Sequence, residues 1–111
     1  SKIVKLLNEK HITSSPIKGL IYGVTFKENC PDIRNSKVID LYEELIEYGI
    51  EVDVYDPIAN RKEVRETYGL KLKNKIKNKT YDFIIIAVPH KQYRHKEFIK
   101  SLKVSYRSSY L

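Results

Sequence analysis

A chain of 111 residues is long enough for one domain with a modest core. Its formal net charge of +7 admits nucleic acid, an anionic membrane or an anionic small molecule as partner. No apolar run approaches the roughly 18 residues of a membrane-spanning helix, the single cysteine excludes an internal disulfide and fits a reducing compartment, and no CxxC or HExxH spacing offers a metal site.

Residues 1–11 place Ile3, Val4, Leu6 and Leu7 on one side of a helix, which Thr13, Ser14, Ser15 and Pro16 break. The chain contains no Met, not even at its start. Residues 1–16 are therefore expected to be a junction helix and linker from an upstream domain. Leu20 to Phe26 is apolar except for Gly23 and Thr25, which predicts a strand over residues 18–25 covered on both faces. Pro31 and Asp32 mark a loop over residues 27–35. Ser36 is the predicted N-cap of a helix to Tyr48, closed by Gly49. Val38, Ile39, Leu41, Tyr42, Leu45 and Ile46 are its apolar stripe.

Val52 and Val54 alternate in a strand over residues 51–55 that stops at Asp56-Pro57, and a strand–helix–strand unit of this kind has parallel strands. Asn60 opens a second helix to Tyr68, closed by Gly69, and residues 70–72 read as a short strand. The lysines at 71, 73, 75, 77 and 79 read as a solvated, poorly ordered connection. No aromatic residue is interleaved for base stacking, so nucleic acid is not the expected partner, and without a long apolar run neither is a membrane. FIIIAV, residues 83–88, is a buried central strand, and residues 92–102 form a last helix packing through Tyr93, Phe98, Ile99 and Leu102. The expected fold class is α/β, an open parallel sheet of about four strands with helices on both faces, Rossmann-like.

The loop over 27–35 leaves the C-terminal end of a parallel strand and enters a helix, the place where open α/β sheets bind ligands. Free backbone N–H groups and the helix dipole favour an anion there, and Lys27 and Arg34 add two cations. The run FKENCPDIRNSKV, preceded by the buried strand and followed by YDP at 55–57, resembles the C-terminal UDP-binding domain of the UDP-glucose/GDP-mannose dehydrogenase family. Within that family it is most similar to bacterial UDP-N-acetylhexosamine 6-dehydrogenases of capsule and surface-polysaccharide synthesis. The resemblance spans residues 18–98. The final KVSYRSSYL lacks the family's Gly-containing turn, further strand and basic motif. No strand is expected in it, and residues 103–111 are set apart as a divergent or truncated tail after a UDP-sugar-binding domain over 17–102.

The resemblance implies that Phe26 and Lys27 contact a UDP-sugar, and that Arg34 reaches NAD held by an upstream domain. A local salt bridge to Asp32 or Asp40 is the other reading of Arg34, and a plain surface lysine the other reading of Lys27. Asp32 then positions Arg34 or the loop, while Asn35 and Ser36 cap the helix. It also implies a cytoplasmic, homodimeric, NAD-dependent enzyme with upstream NAD-binding and central domains. That enzyme oxidises the sugar C6 alcohol to a carboxylate through a catalytic cysteine of a Gly-x-Cys-x-Pro-Lys-Asp motif. Cys30 matches no such motif and has no sequence-near histidine to activate it, so no catalytic residue is assigned to this chain. The alternative is a stand-alone or remnant nucleotide-binding module without catalysis. Asp56 ends a strand where dinucleotide-binding domains place a ribose carboxylate, but no GxGxxG accompanies it; a turn or cap role is expected. His90 is expected to be a solvated loop histidine, with a pH-sensitive ligand contact as the second reading.

Overall fold

A computed structural model describes residue 5 and residues 16–34, 36–76, 81–91 and 105–107. Four strands, β1 (Lys18–Tyr22), β2 (Glu51–Tyr55), β3 (Phe83–Ile86) and β4 (Ser105–Arg107), form one sheet in the order β2-β1-β3-β4. All three pairings are parallel; Leu20 lies between Asp53 and Ile84, and Tyr22 between Tyr55 and Ile86. The fold class is thus the expected α/β open parallel sheet.

The β-branched and aromatic content of β1 and β3 suits a strand with neighbours on both edges and cover on both faces. Leu20, Ile21, Tyr22, Ile84 and Ile85 are wholly buried. Alternation sorts them into two clusters. Ile21, Val54, Phe83 and Ile85 face α1 (Ser36–Glu47) and α2 (Arg61–Tyr68), which contribute Val38, Leu41, Leu45 and Val64. Leu20, Tyr22, Ile84 and Ile86 form the opposite face, with Tyr55, Ile76 and Tyr81 packed against them. The helices predicted over residues 1–11 and 92–102 lie outside the described residues, Lys5 apart.

α1 buries most of its predicted stripe, but Ile46 stands 43% exposed at the helix end. α1 begins at Ser36 itself, and Asn35 before it lies outside the described residues. α2 starts as expected: the Asn60 side chain accepts from the Glu63 N–H at 3.0 Å, which satisfies one of the free donors of the first turn.

Two strand expectations are corrected. Residues 70–72 are no strand: Leu70 and Leu72 bury their side chains and Lys73 N–H donates to the Val54 carbonyl, but no ladder forms. The fourth strand lies instead at Ser105–Arg107, in the stretch from which none was expected, paired to β3. The predicted poorly ordered lysine connection is corrected for its first half. Lys71, Lys73 and Lys75 are exposed, yet the buried leucines and the pairing of Lys73 with Asp53 at 3.7 Å anchor the segment; Lys77 and Lys79 lie outside the described residues.

Strand order and chain order diverge across β1 and β3. From β1 the chain crosses to β2 on one side, and β3 returns to its other side. In open parallel sheets the crevice beyond the C-terminal ends of two such strands is the ligand position. The loops that leave β1 and β3 meet there.

Candidate functional site

The β1 exit is set by close backbone approach. Gly23 has φ +100°, and a Cβ there would stand 2.5 Å from the Val88 Cβ and 2.7 Å from its backbone nitrogen. Only glycine tolerates both the dihedral and the contact. Ala87 and Val88 N–H both donate to the Tyr22 carbonyl, so the exits of β1 and β3 are joined.

Just beyond, three polar side chains are packed out of solvent: Thr25 and His90 at 0% exposure and Asp56 at 5%. Asp56 is the fixed point. Its Oδ1 accepts from the N–H groups of Ile58 (2.8 Å) and Ala59 (2.9 Å), a turn cap of the kind expected from Asp-Pro. Its Oδ2 accepts from Val24 N–H at 2.8 Å and lies 2.9 Å from His90 Nε2. Burial pushes the Asp56 carboxyl up, but the donors from His90, Val24, Ala59 and Ile58 outweigh it and hold the group below its ordinary 3.8.

His90 is not the solvated histidine expected. Asn29 N–H donates to its Nδ1 at 2.9 Å, so Nδ1 carries no proton and the ring N–H is on Nε2. Nε2–H then faces Asp56 Oδ2 and, at 3.1 Å, Thr25 Oγ1. The Thr25 hydroxyl donates onward to the Lys27 carbonyl at 3.0 Å. Asn29 occupies the left-handed region at φ 59°, which Asn tolerates better than most residues, and its Oδ1 accepts from Lys91 N–H at 2.8 Å. The rest of the loop is tied down by Phe26 N–H to the Asp32 carbonyl at 2.6 Å, by buried Ile33, and by the Tyr68 hydroxyl on the Ile33 carbonyl at 2.7 Å.

On this anchored loop the predicted binding side chains point outward. Phe26 is 60% exposed, an unusual state for an aromatic next to a buried strand, and Lys27 is exposed beside it. Arg34 is exposed as well and forks onto Asp32: Nε reaches both carboxylate oxygens at 3.0 Å and a terminal nitrogen reaches Oδ2 at 2.6 Å. This is the local salt bridge given as one reading of Arg34. The Arg34 hydrogen bonds hold the Asp32 carboxyl down at about 2, and Asp32 in turn raises the guanidinium. Cys30 is free and partly exposed. Among the described residues no group of His, Cys, Asp and Glu could hold a metal ion, and no helix is long and apolar enough to cross a membrane.

Thr25, Asn29 and Tyr68 were not singled out from the sequence. The one local signal was Thr25, a polar residue at the end of an apolar run; its partner lies 65 positions away.

A parallel α/β sheet whose switch-point loop exposes Phe26 and Lys27 defines the class of fold, and the comparisons narrow it. Residues 20–108 match the UDP binding domain of the UDP-glucose/GDP-mannose dehydrogenase family, and the chain belongs to that family. It is 43% identical over 93 residues to UDP-N-acetyl-D-glucosamine 6-dehydrogenase of Salmonella typhi, covering 84% of this chain and 22% of the relative. It is 40% identical over 95 residues to the enzyme of the same name from Pseudomonas aeruginosa, covering 86% and 22%. Protein CapL of Staphylococcus aureus is 40% identical over 105 residues, covering 93% and 25%. The chain thus spans only 22% to 25% of the length of these relatives.

Proposed function

We propose that the chain supplies the nucleotide-sugar site of an NAD-dependent UDP-sugar 6-dehydrogenase, in which the sugar C6 alcohol is oxidised to a carboxylate for polysaccharide precursor synthesis in the cytoplasm. Lys27 meets the diphosphate as a mobile point charge. Phe26 offers an apolar face beside it, and Arg34 turns from Asp32 toward NAD held by an upstream domain. That domain, a central domain carrying the catalytic cysteine, and a second copy of the enzyme are the partners in this reading. The UDP-binding domain of the family, and relatives that are UDP-N-acetyl-D-glucosamine 6-dehydrogenases, support it. The observation that carries it is the exposed Phe26–Lys27 pair on a loop whose underside is locked by buried hydrogen bonds.

Isothermal titration of the chain with UDP and with NAD tests this reading. UDP is expected to bind and NAD is not. Lys27→Ala is expected to weaken UDP by about tenfold, the worth of one charge-assisted hydrogen bond, with no change in thermal midpoint because the side chain is exposed. Absence of UDP binding, or equal affinity for the Lys27→Ala variant, would overturn it.

A further inference from the structure

We propose that His90 is a positioning residue for the nucleotide-sugar loop: through Nδ1 it holds the Asn29 N–H, and together with Thr25, which holds the Lys27 carbonyl, it fixes the backbone from Lys27 to Asn29. This deepens the function proposed above and rests on it for the identity of the ligand. The ring is suited to the task because its two nitrogens have different uses: Nε2 faces Asp56 and Thr25, and Nδ1 faces the Asn29 amide. Asp56, itself held by three backbone N–H groups, accepts a hydrogen bond from Nε2–H, which favours the tautomer that leaves Nδ1 bare to accept. The acceptor then meets the amide of a residue in the left-handed region. Asn tolerates this backbone turn, and two further bonds hold it in place: Lys91 N–H to Asn29 Oδ1, and Thr25 Oγ1–H to the Lys27 carbonyl.

The loop is thus clasped to the β3 exit by residues about 60 positions away in the chain. Lys27 projects from the clasped segment. An exposed lysine has no geometry of its own to offer a diphosphate. A clasped backbone beneath it limits where its stem starts and so reduces the ordering cost of binding.

Two substitutions separate the nitrogens. In His90→Gln the side-chain amide nitrogen falls near the Nε2 position and can still donate to Asp56, but nothing replaces the Nδ1 acceptor. In His90→Asn the side-chain oxygen falls near Nδ1 and keeps the Asn29 bond while the Asp56 contact is lost. UDP affinity, measured by calorimetry, is expected to fall about tenfold in His90→Gln and to be largely recovered in His90→Asn. Amide hydrogen exchange of Asn29, followed by NMR without ligand, is expected to quicken in His90→Gln and stay slow in His90→Asn and in the unaltered chain. A merely structural histidine predicts otherwise: affinity would follow the thermal midpoint in both variants, and that result overturns the proposal. So does unprotected Asn29 exchange in the unaltered chain, a measurement that needs no variant to fold. If the unaltered chain shows slow Asn29 exchange but binds no UDP, the clasp stands and the ligand assignment falls.

Discussion

At the scale of single residues, two carboxylates of this molecule behave differently because their surroundings differ. Asp32 is held at about 2 by an exposed arginine two positions on, through side-chain bonds first and a backbone bond from Arg34 second. Arg34→Ala removes only the first. Its carboxyl is therefore expected to return part of the way toward 3.8 in a carbon-detected NMR titration, and a value unmoved from about 2 would refute the assignment of cause. Asp56 is buried and accepts from three backbone N–H groups and His90. Its folded carboxyl lies below the unfolded value of 3.8, so its contribution is complete above that value and is lost as pH falls below it. Asp56→Asn is expected to cost about 2–4 kcal/mol at pH 7 by denaturant unfolding, since it breaks a buried network and strands its partners. The gap from the unaltered chain is expected to narrow at acid pH as that carboxylate takes up its proton. A constant gap between pH 7 and pH 3 would show that the charge on Asp56 is not what the network needs.

At the scale of elements, the turns discriminate more sharply than the strands. Gly23 and Gly49 both have positive φ, +100° and +80°, but a Cβ on Gly49 meets nothing within 4 Å whereas one on Gly23 strikes Val88. Gly49→Ala is therefore expected to cost only the dihedral, about 1 kcal/mol, and Gly23→Ala about 3 kcal/mol or more, measured by thermal or urea unfolding. Equal costs would mean that the β1 exit can move away from β3. The periodicity of α1, the caps of α2 and the apolar runs of β1 and β3 were legible because local composition decides them. Residues 70–72 misled because the alternating buried leucines have the pattern of a strand, while no ladder among the described residues includes them. β4 was missed for the opposite reason: SYR is three residues long and polar, and its pairing with β3 is tertiary. The same limit hid the state of His90. Its Asp56 and Thr25 partners lie 34 and 65 positions away, and no spacing rule connects them. The loop cations and Phe26 were legible as candidates; the clasp that holds them was not.

At the scale of the whole molecule, binding and chemistry separate. Oxidising an alcohol to a carboxylate removes two hydrides and needs an acceptor site for each transfer and a group to hold the intermediate aldehyde. This chain carries no GxGxxG to seat a dinucleotide pyrophosphate. Its one cysteine, Cys30, sits on the loop near Asp32 and Arg34, and His90, the one histidine among the described residues, is engaged with Asn29, Asp56 and Thr25 instead. What it does carry is a net charge of +7 and an anchored loop at the sheet's switch point that exposes Lys27. The function proposed above predicts nucleotide affinity without turnover for the 111-residue chain taken alone. Incubated with NAD and UDP-N-acetyl-D-glucosamine, it is expected to give no absorbance rise at the wavelength of reduced nicotinamide above a protein-free control, at protein concentrations where UDP binding is measurable by calorimetry. A rise that depends on both the sugar nucleotide and NAD, and that Lys27→Ala diminishes, would place the dehydrogenation chemistry inside this chain and require a dinucleotide site that its glycine pattern does not describe.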